Sequence, residues 1–190
     1  HRSNDVYFIF MALALAEKIT VVQEVFVNYR QSGSSLQANN VKSPWDWYEA
    51  LKAIRDKLKE LDLYDTVETS FKNLAFGVSI YNLCSLKVGE AFCEIYERLN
   101  SEIFAEFELD DFTEEECYSY NGAKYQIYMQ MKECSAVEYL FRQAQEMKEW
   151  QSRAKKAEKE LQKLKSSTTL KAGKALLYIP KKLKHLNGKK

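Results

Sequence analysis

Proline and glycine are scarce in this chain, with two and six among 190 residues. The backbone therefore meets few breakers. With 46% hydrophobic and 29% charged residues, that scarcity points to a mostly α protein with a substantial core. No apolar run reaches the ~20 residues a helix needs to cross a bilayer, and the opening residues lack the basic–apolar–small order of a signal peptide. The first residue is His1, not Met, so further sequence is expected upstream. Histidine occurs only at positions 1 and 185, and Cys84, Cys93, Cys117 and Cys134 form no C-x-x-C pair. These spacings argue against a zinc site or a Cys/His catalytic pair. Buried, reduced thiols in a cytoplasmic protein are expected instead.

Net charge is small but unevenly placed. Residues 168–190 carry seven lysines and no acid, which leaves residues 1–167 with 21 basic and 27 acidic residues, a net of −6. An acidic body argues against nucleic acid as the partner. The tail has no arginine and only Tyr178 as an aromatic, so it provides poorly for base stacking. On a helical wheel Ala172, Ala175, Leu176, Ile179, Leu183 and Leu186 oppose five of the lysines, with Pro180 as a kink. That pattern suits an anionic membrane surface.

Periodicity outlines the elements. Residues 5–17 read as a short helix, apolar on most sides and so expected to be buried, with Ser3 or Asn4 as its cap. The β-branched run 19–29 reads as one or two short strands, and 31–43 as a polar loop. Ser43 and Pro44 should open a helix whose apolar face is Trp47, Leu51, Ile54, Leu58 and Leu61. A second helix shows Val67, Phe71, Leu74, Val78 and Tyr81. A third shows Val88, Phe92, Ile95, Leu99 and Ile103. Residues 108–122 read as a surface excursion with a start signal at Thr113–Glu116 and a turn at Asn121-Gly122. A capping box at Ser135–Glu138 opens a long charged helix to about Lys165. Leu140, Met147, Ala154 and Leu161 share one heptad position there, and Gln143, Trp150, Ala157 and Leu164 the next. This is a weak seam for a homodimer, or else a solvated helix docked by its first turns. The segments are thus 1–43, 44–134, 135–167 and 168–190.

Two patterns carry chemistry. Asp5, in Ser3-Asn4-Asp5, lies at a helix start, where the positive end of the helix dipole favours a carboxylate. Such a carboxylate can serve as a general base, although aspartates also sit there simply as caps. Arg30 follows Asn28-Tyr29 and precedes Gly33-Ser34-Ser35, a setting that suits phosphate or carboxylate binding.

Taken in order, an acidic motif opening a helix, an I-x-x-x-x-E-V stretch, Tyr-Arg, Ser-Ser-Leu-Gln, Ser-Pro and an aromatic-rich helix resemble the end of the catalytic domain in bacterial family 2 glycosyltransferases. YNLCSL and LLYIPKKLK fit the same enzymes. The resemblance covers most of the chain and is best over residues 3–61. It implies that residues 1–43 end a GT-A domain, an α/β fold. The parent enzyme would transfer a sugar with inversion from a nucleotide-sugar donor to a glycan or lipid-linked acceptor. It implies Asp5 as the base, Asn4 (where the family has Glu) and Arg30 as substrate contacts, and a divalent metal, Mg or Mn, in the parent. That metal belongs to a D-x-D motif, which these 190 residues lack, so the chain alone is expected to bind no metal and to be inactive. The expected location is the inner face of the cell membrane, peripherally attached. The alternative is a non-catalytic helical interaction module whose tail binds the membrane surface.

Overall fold

The computed structural model describes residues 3–27 and 43–169. Helix makes up 74% of these residues and no strand occurs among them, so the described chain is mostly helical. The helices are α1 (Asn4–Ala14), α2 (Asp46–Glu60), α3 (Tyr64–Cys84), α4 (Gly89–Arg98), α5 (Phe104–Glu106), α6 (Gly122–Glu133) and α7 (Ala136–Ser166). The chain divides into two compact units, His1–Tyr139 and Leu140–Lys190.

In the first unit, α2 buries Trp47, Leu51, Ile54 and Leu58, the stripe its spacing predicts. Leu61 lies beyond the helix and is partly exposed; Asp62, with φ 54°, turns the chain toward α3. The expected Ser43 cap does not form, since the N-cap position is Trp45 and no side chain caps this end.

Helix α3 departs from its expected stripe. Phe71 is buried, but Val67, Leu74 and Val78 are only half-buried and Tyr81 is exposed. The buried residues are Tyr64, Phe71, Asn73, Ala75, Phe76, Gly77, Ser79, Ile80, Asn82 and Leu83, which surround most of the helix. The reason is that α3 packs against α2, α4 and α6, so no single stripe defines its inside.

Helix α4 continues through a π-helical stretch, Leu99–Ile103, into α5. Phe92, Ile95, Leu99 and Ile103 are buried as their spacing predicts, while Val88, at the N-cap, is exposed. The π stretch is followed by buried Phe104 and Phe107.

Residues 108–122 are more than a surface excursion. Leu109, Phe112 and Asn121 are buried. Thr113 and Glu116 do form the reciprocal capping box: Thr113 N–H and Oγ1 donate to Glu116 Oε2 at 2.8 and 2.9 Å. Yet it closes only a turn, and the helix starts later, through a 3₁₀ turn at Ser119–Asn121. Asn121-Gly122 is therefore a helix start rather than a turn. Helix α6, to which the periodicity assigned no element, packs Tyr125, Tyr128 and Met131 inward.

Ser135 and Glu138 form the second capping box, with Ser135 N–H donating to Glu138 Oε2 at 3.0 Å. Ala136 N–H donates to Glu97 Oε1 at 3.1 Å, and Tyr139 stacks on Phe92 with ring centres 5.9 Å apart. The second unit is helical from its first residue, Leu140, to Ser166. Over that stretch every residue but Gln143 is exposed.

The expected strands at 19–29 are not formed over the described part. Residues 19–27 are irregular and exposed. β-branched residues favour a strand only where a neighbouring strand takes their backbone groups, and no strand exists among the described residues. Residues 28–29 and 31–42 lie outside the described residues.

Candidate functional site

Helix α1 carries the predicted base. Ser3 sits at its N-cap with φ 103° and makes no side-chain cap bond, contrary to the expected cap. Its carbonyl accepts from Val6 N–H at 3.2 Å. Asp5 supplies the acidic group of the first turn, and Val6 N–H donates to Asp5 Oδ1 at 3.0 Å. The carboxylate is exposed.

The helix has two unlike faces. Met11 is buried, and Val6, Tyr7, Phe10 and Ala14 pack against the core; Phe10 meets Phe71 edge-on at 6.2 Å. On the other face, Asp5, Phe8, Ile9, Ala12 and Leu13 follow the i, i+3, i+4, i+7, i+8 spacing of a single stripe, and all are exposed. Phe8 is 71% exposed. Further along the chain Leu15, Ile19, Val21, Val22, Val25, Phe26 and Val27 are exposed too, Val25 to 86%. The expectation that the helix is buried on most sides holds for one face only. Asp5 thus heads an exposed apolar stripe that no other described residue covers.

Of the predicted site residues, Asp5 is the one whose side chain is among those described. Arg30 lies outside the described residues, as does the side chain of Asn4. Among the described residues no group of three or more His, Cys, Asp or Glu side chains could hold a metal ion. The thiols also differ from expectation: Cys84 is exposed and Cys93, Cys117 and Cys134 are half-buried, all as free cysteines.

Two polar clusters escaped sequence reasoning. In the first, Glu106 joins α5 to α2. Tyr48 Oη donates to Glu106 Oε2 at 2.5 Å, Arg55 Nη2 donates to Oε1 at 3.1 Å, and Arg55 Nη1 donates to the Glu106 carbonyl at 2.9 Å. Arg55 therefore caps the end of α5 as well as pairing with its carboxylate. Burial, then the bond to Glu106, pushes the Tyr48 phenol up to about 12. Arg98 lies over the Trp45 ring at 4.2 Å. Tyr48, Lys52 and Arg55 at helical spacing were the available signal, but the partner is 51 residues away from Arg55.

In the second, Asn73 and Asn121 are fully buried. Asn73 Nδ2 donates to the Thr69 and Glu116 carbonyls at 2.9 and 2.8 Å, and its Oδ1 accepts from Tyr118 N–H at 2.7 Å. Asn121 Nδ2 donates to the Asn73 carbonyl at 3.0 Å. Lys124 Nζ donates to Asn121 Oδ1 at 2.9 Å, and burial lowers the Lys124 pKa. Gly77 makes room for this knot, since a Cβ there would stand 2.8 Å from Asn121 Oδ1. Both clusters use their polar groups on one another, which suits them to holding helices together.

Against known protein families, curated proteins and solved structures, the chain has no significant match.

Proposed function

We propose that this chain is the C-terminal part of an inverting family 2 glycosyltransferase with a GT-A catalytic domain. Asp5 would be its general base, with Asn4 and Arg30 as contacts to donor or acceptor. The observation that carries this reading is the position of Asp5 at the head of the uncovered stripe of Phe8, Ile9 and Leu13. Exposed apolar surface on this scale marks a face that another body covers. The donor-binding half of the catalytic domain, seated there, would bring its bound donor to the edge where the exposed Asp5 carboxylate could receive a proton. The acceptor hydroxyl would lose that proton to Asp5 as its oxygen attacks the anomeric carbon and the nucleoside diphosphate departs. The divalent metal would assist that departure from the D-x-D motif of the catalytic domain. The lysine-rich residues 168–190 would hold the enzyme to an anionic membrane surface, at about 1 kcal/mol per lysine, near a glycan or lipid-linked acceptor on the cytoplasmic side.

The test uses the native product, purified from its own cells and sized by intact mass. It is expected to exceed this chain by on the order of 100–150 residues, one domain, and to release nucleoside diphosphate from a nucleotide sugar. Asp5→Asn should lower kcat by about 10²–10⁴-fold with donor KM little changed. A native product of 190 residues that turns over no nucleotide sugar would refute the reading. The helical interaction module with a membrane-binding tail would then take its place.

A further inference from the structure

The second unit has its own uncovered surface. No helix among the described residues is long and apolar enough to cross a membrane, yet this helix exposes several large apolar side chains. Leu140, Met147 and Leu161 occupy one heptad position with Ala154. Trp150 and Leu164 occupy the other with Gln143 and Ala157. Trp150 is 67% exposed, and Met147, Leu161 and Leu164 are exposed with it. Phe141 is exposed too but lies off the seam.

The residues flanking the seam identify the occupant. On one side stand Glu146, Arg153 and Glu160; on the other stand Gln151, Glu158 and Lys165. In a parallel pair of identical helices, each residue of the first set faces the residue of the second set five positions later on the other copy. Arg153 then meets Glu158, Glu160 meets Lys165, and Glu146 meets Gln151. Two attractive pairs form on each side and no like charges meet. An antiparallel pair that keeps the same seam brings Arg153 to Glu146 twice along one side. Along the other it leaves Lys165 opposite Ala144, so it has half the ion pairs. Arg153 at present pairs with Glu149 at 3.6 Å, but both are exposed, and an exposed pair of this kind is easily exchanged. The Ala154 and Ala157 layers favour two strands, because a wider bundle would leave a larger void around them.

We infer that residues 140–164 of two copies of this chain pair as a parallel, in-register coiled coil. This inference is independent of the glycosyltransferase reading, because its readout is association rather than activity. The alanine layers bury little, so association is concentration-dependent.

Sedimentation velocity of the full chain over a range of concentrations tests it. The chain is expected to pass from monomer to dimer. Leu161→Asp should weaken the dimer by at least about 100-fold, and circular dichroism should show the first unit still folded. Arg153→Glu should also weaken it, and Arg153→Glu with Glu158→Arg should restore it. Orientation is read from Trp150→Cys under mild oxidation, with the unsubstituted chain as the control for its own thiols. Parallel pairing places the two introduced cysteines face to face, within disulfide reach. A chain that stays monomeric, or one that binds anionic vesicles through Trp150 and Leu161 as a monomer, overturns the inference. So does a dimer indifferent to Leu161→Asp, or one that gives no cross-link at position 150.

Discussion

Helices α2 and α1 both carry an apolar stripe, but only one of them is fully covered. In α2, Trp47, Leu51, Ile54 and Leu58 are wholly buried among side chains from the same unit. In α1, Met11 and its neighbours are covered while Phe8, Ile9 and Leu13 face outward. The same local rule, apolar residues at helical spacing, thus gives a core in one place and a surface in the other. What differs is whether a complementary face is within reach. The stripe of α1 is left open although the same unit covers apolar groups fully elsewhere.

The comparison can be broken most sharply at Phe71, which meets Phe10, Tyr64 and Phe107 at centre distances of 6.2, 5.7 and 5.9 Å. Phe71→Ala is expected to cost about 3–5 kcal/mol, measured by urea denaturation. A cost below about 1 kcal/mol would show that the covered region is not a packed core. Gly77→Ala comes next. Its methyl would press on Asn121 Oδ1, and displacing that buried side chain should cost about 1–3 kcal/mol. Pairing it with Asn121→Ala should reduce the penalty of the glycine substitution, since the obstructing atom is removed.

Tyr48→Phe has a smaller effect, about 1 kcal/mol at neutral pH, and a distinctive pH signature. The Tyr48 pKa is raised in the folded chain from 10.0 to about 12. A folded chain that holds the proton more tightly keeps its full stability below pH 10, and this contribution is lost as pH climbs from 10 toward 12. Unfolding curves across that window should fall more steeply for the original chain than for Tyr48→Phe. Parallel curves would remove the assigned cause. The smallest effect is expected at Phe8. Phe8→Ser should change the stability of this chain by less than about 0.5 kcal/mol, in contrast to Phe71→Ala. A large loss would mean that the outward stripe is already covered.

Local signals were legible where the chain needed no distant partner. Trp47, Leu51, Ile54 and Leu58 form the stripe their spacing announces, and Thr113–Glu116 and Ser135–Glu138 close their capping boxes within four residues. Legibility failed where a second element decides the outcome. The β-branched run at 19–27 had no strand to join among the described residues. Phe71 through Leu83 lost its stripe because several neighbours surround α3. At the candidate site, Asp5 could be chosen from its place at a helix start, but its position on an uncovered apolar face could not.

The sequence by itself determined that this chain would be mostly helical, with few breaks and two self-closing capping boxes, because propensity, spacing and capping act over a few residues. Tertiary structure alone decided which face of α1 is inside and that Glu106 gathers Tyr48 and Arg55. It also decided that Gly77 admits Asn121. Those outcomes depend on surfaces brought together from tens of residues apart, and no local pattern specifies which partner a side chain will meet.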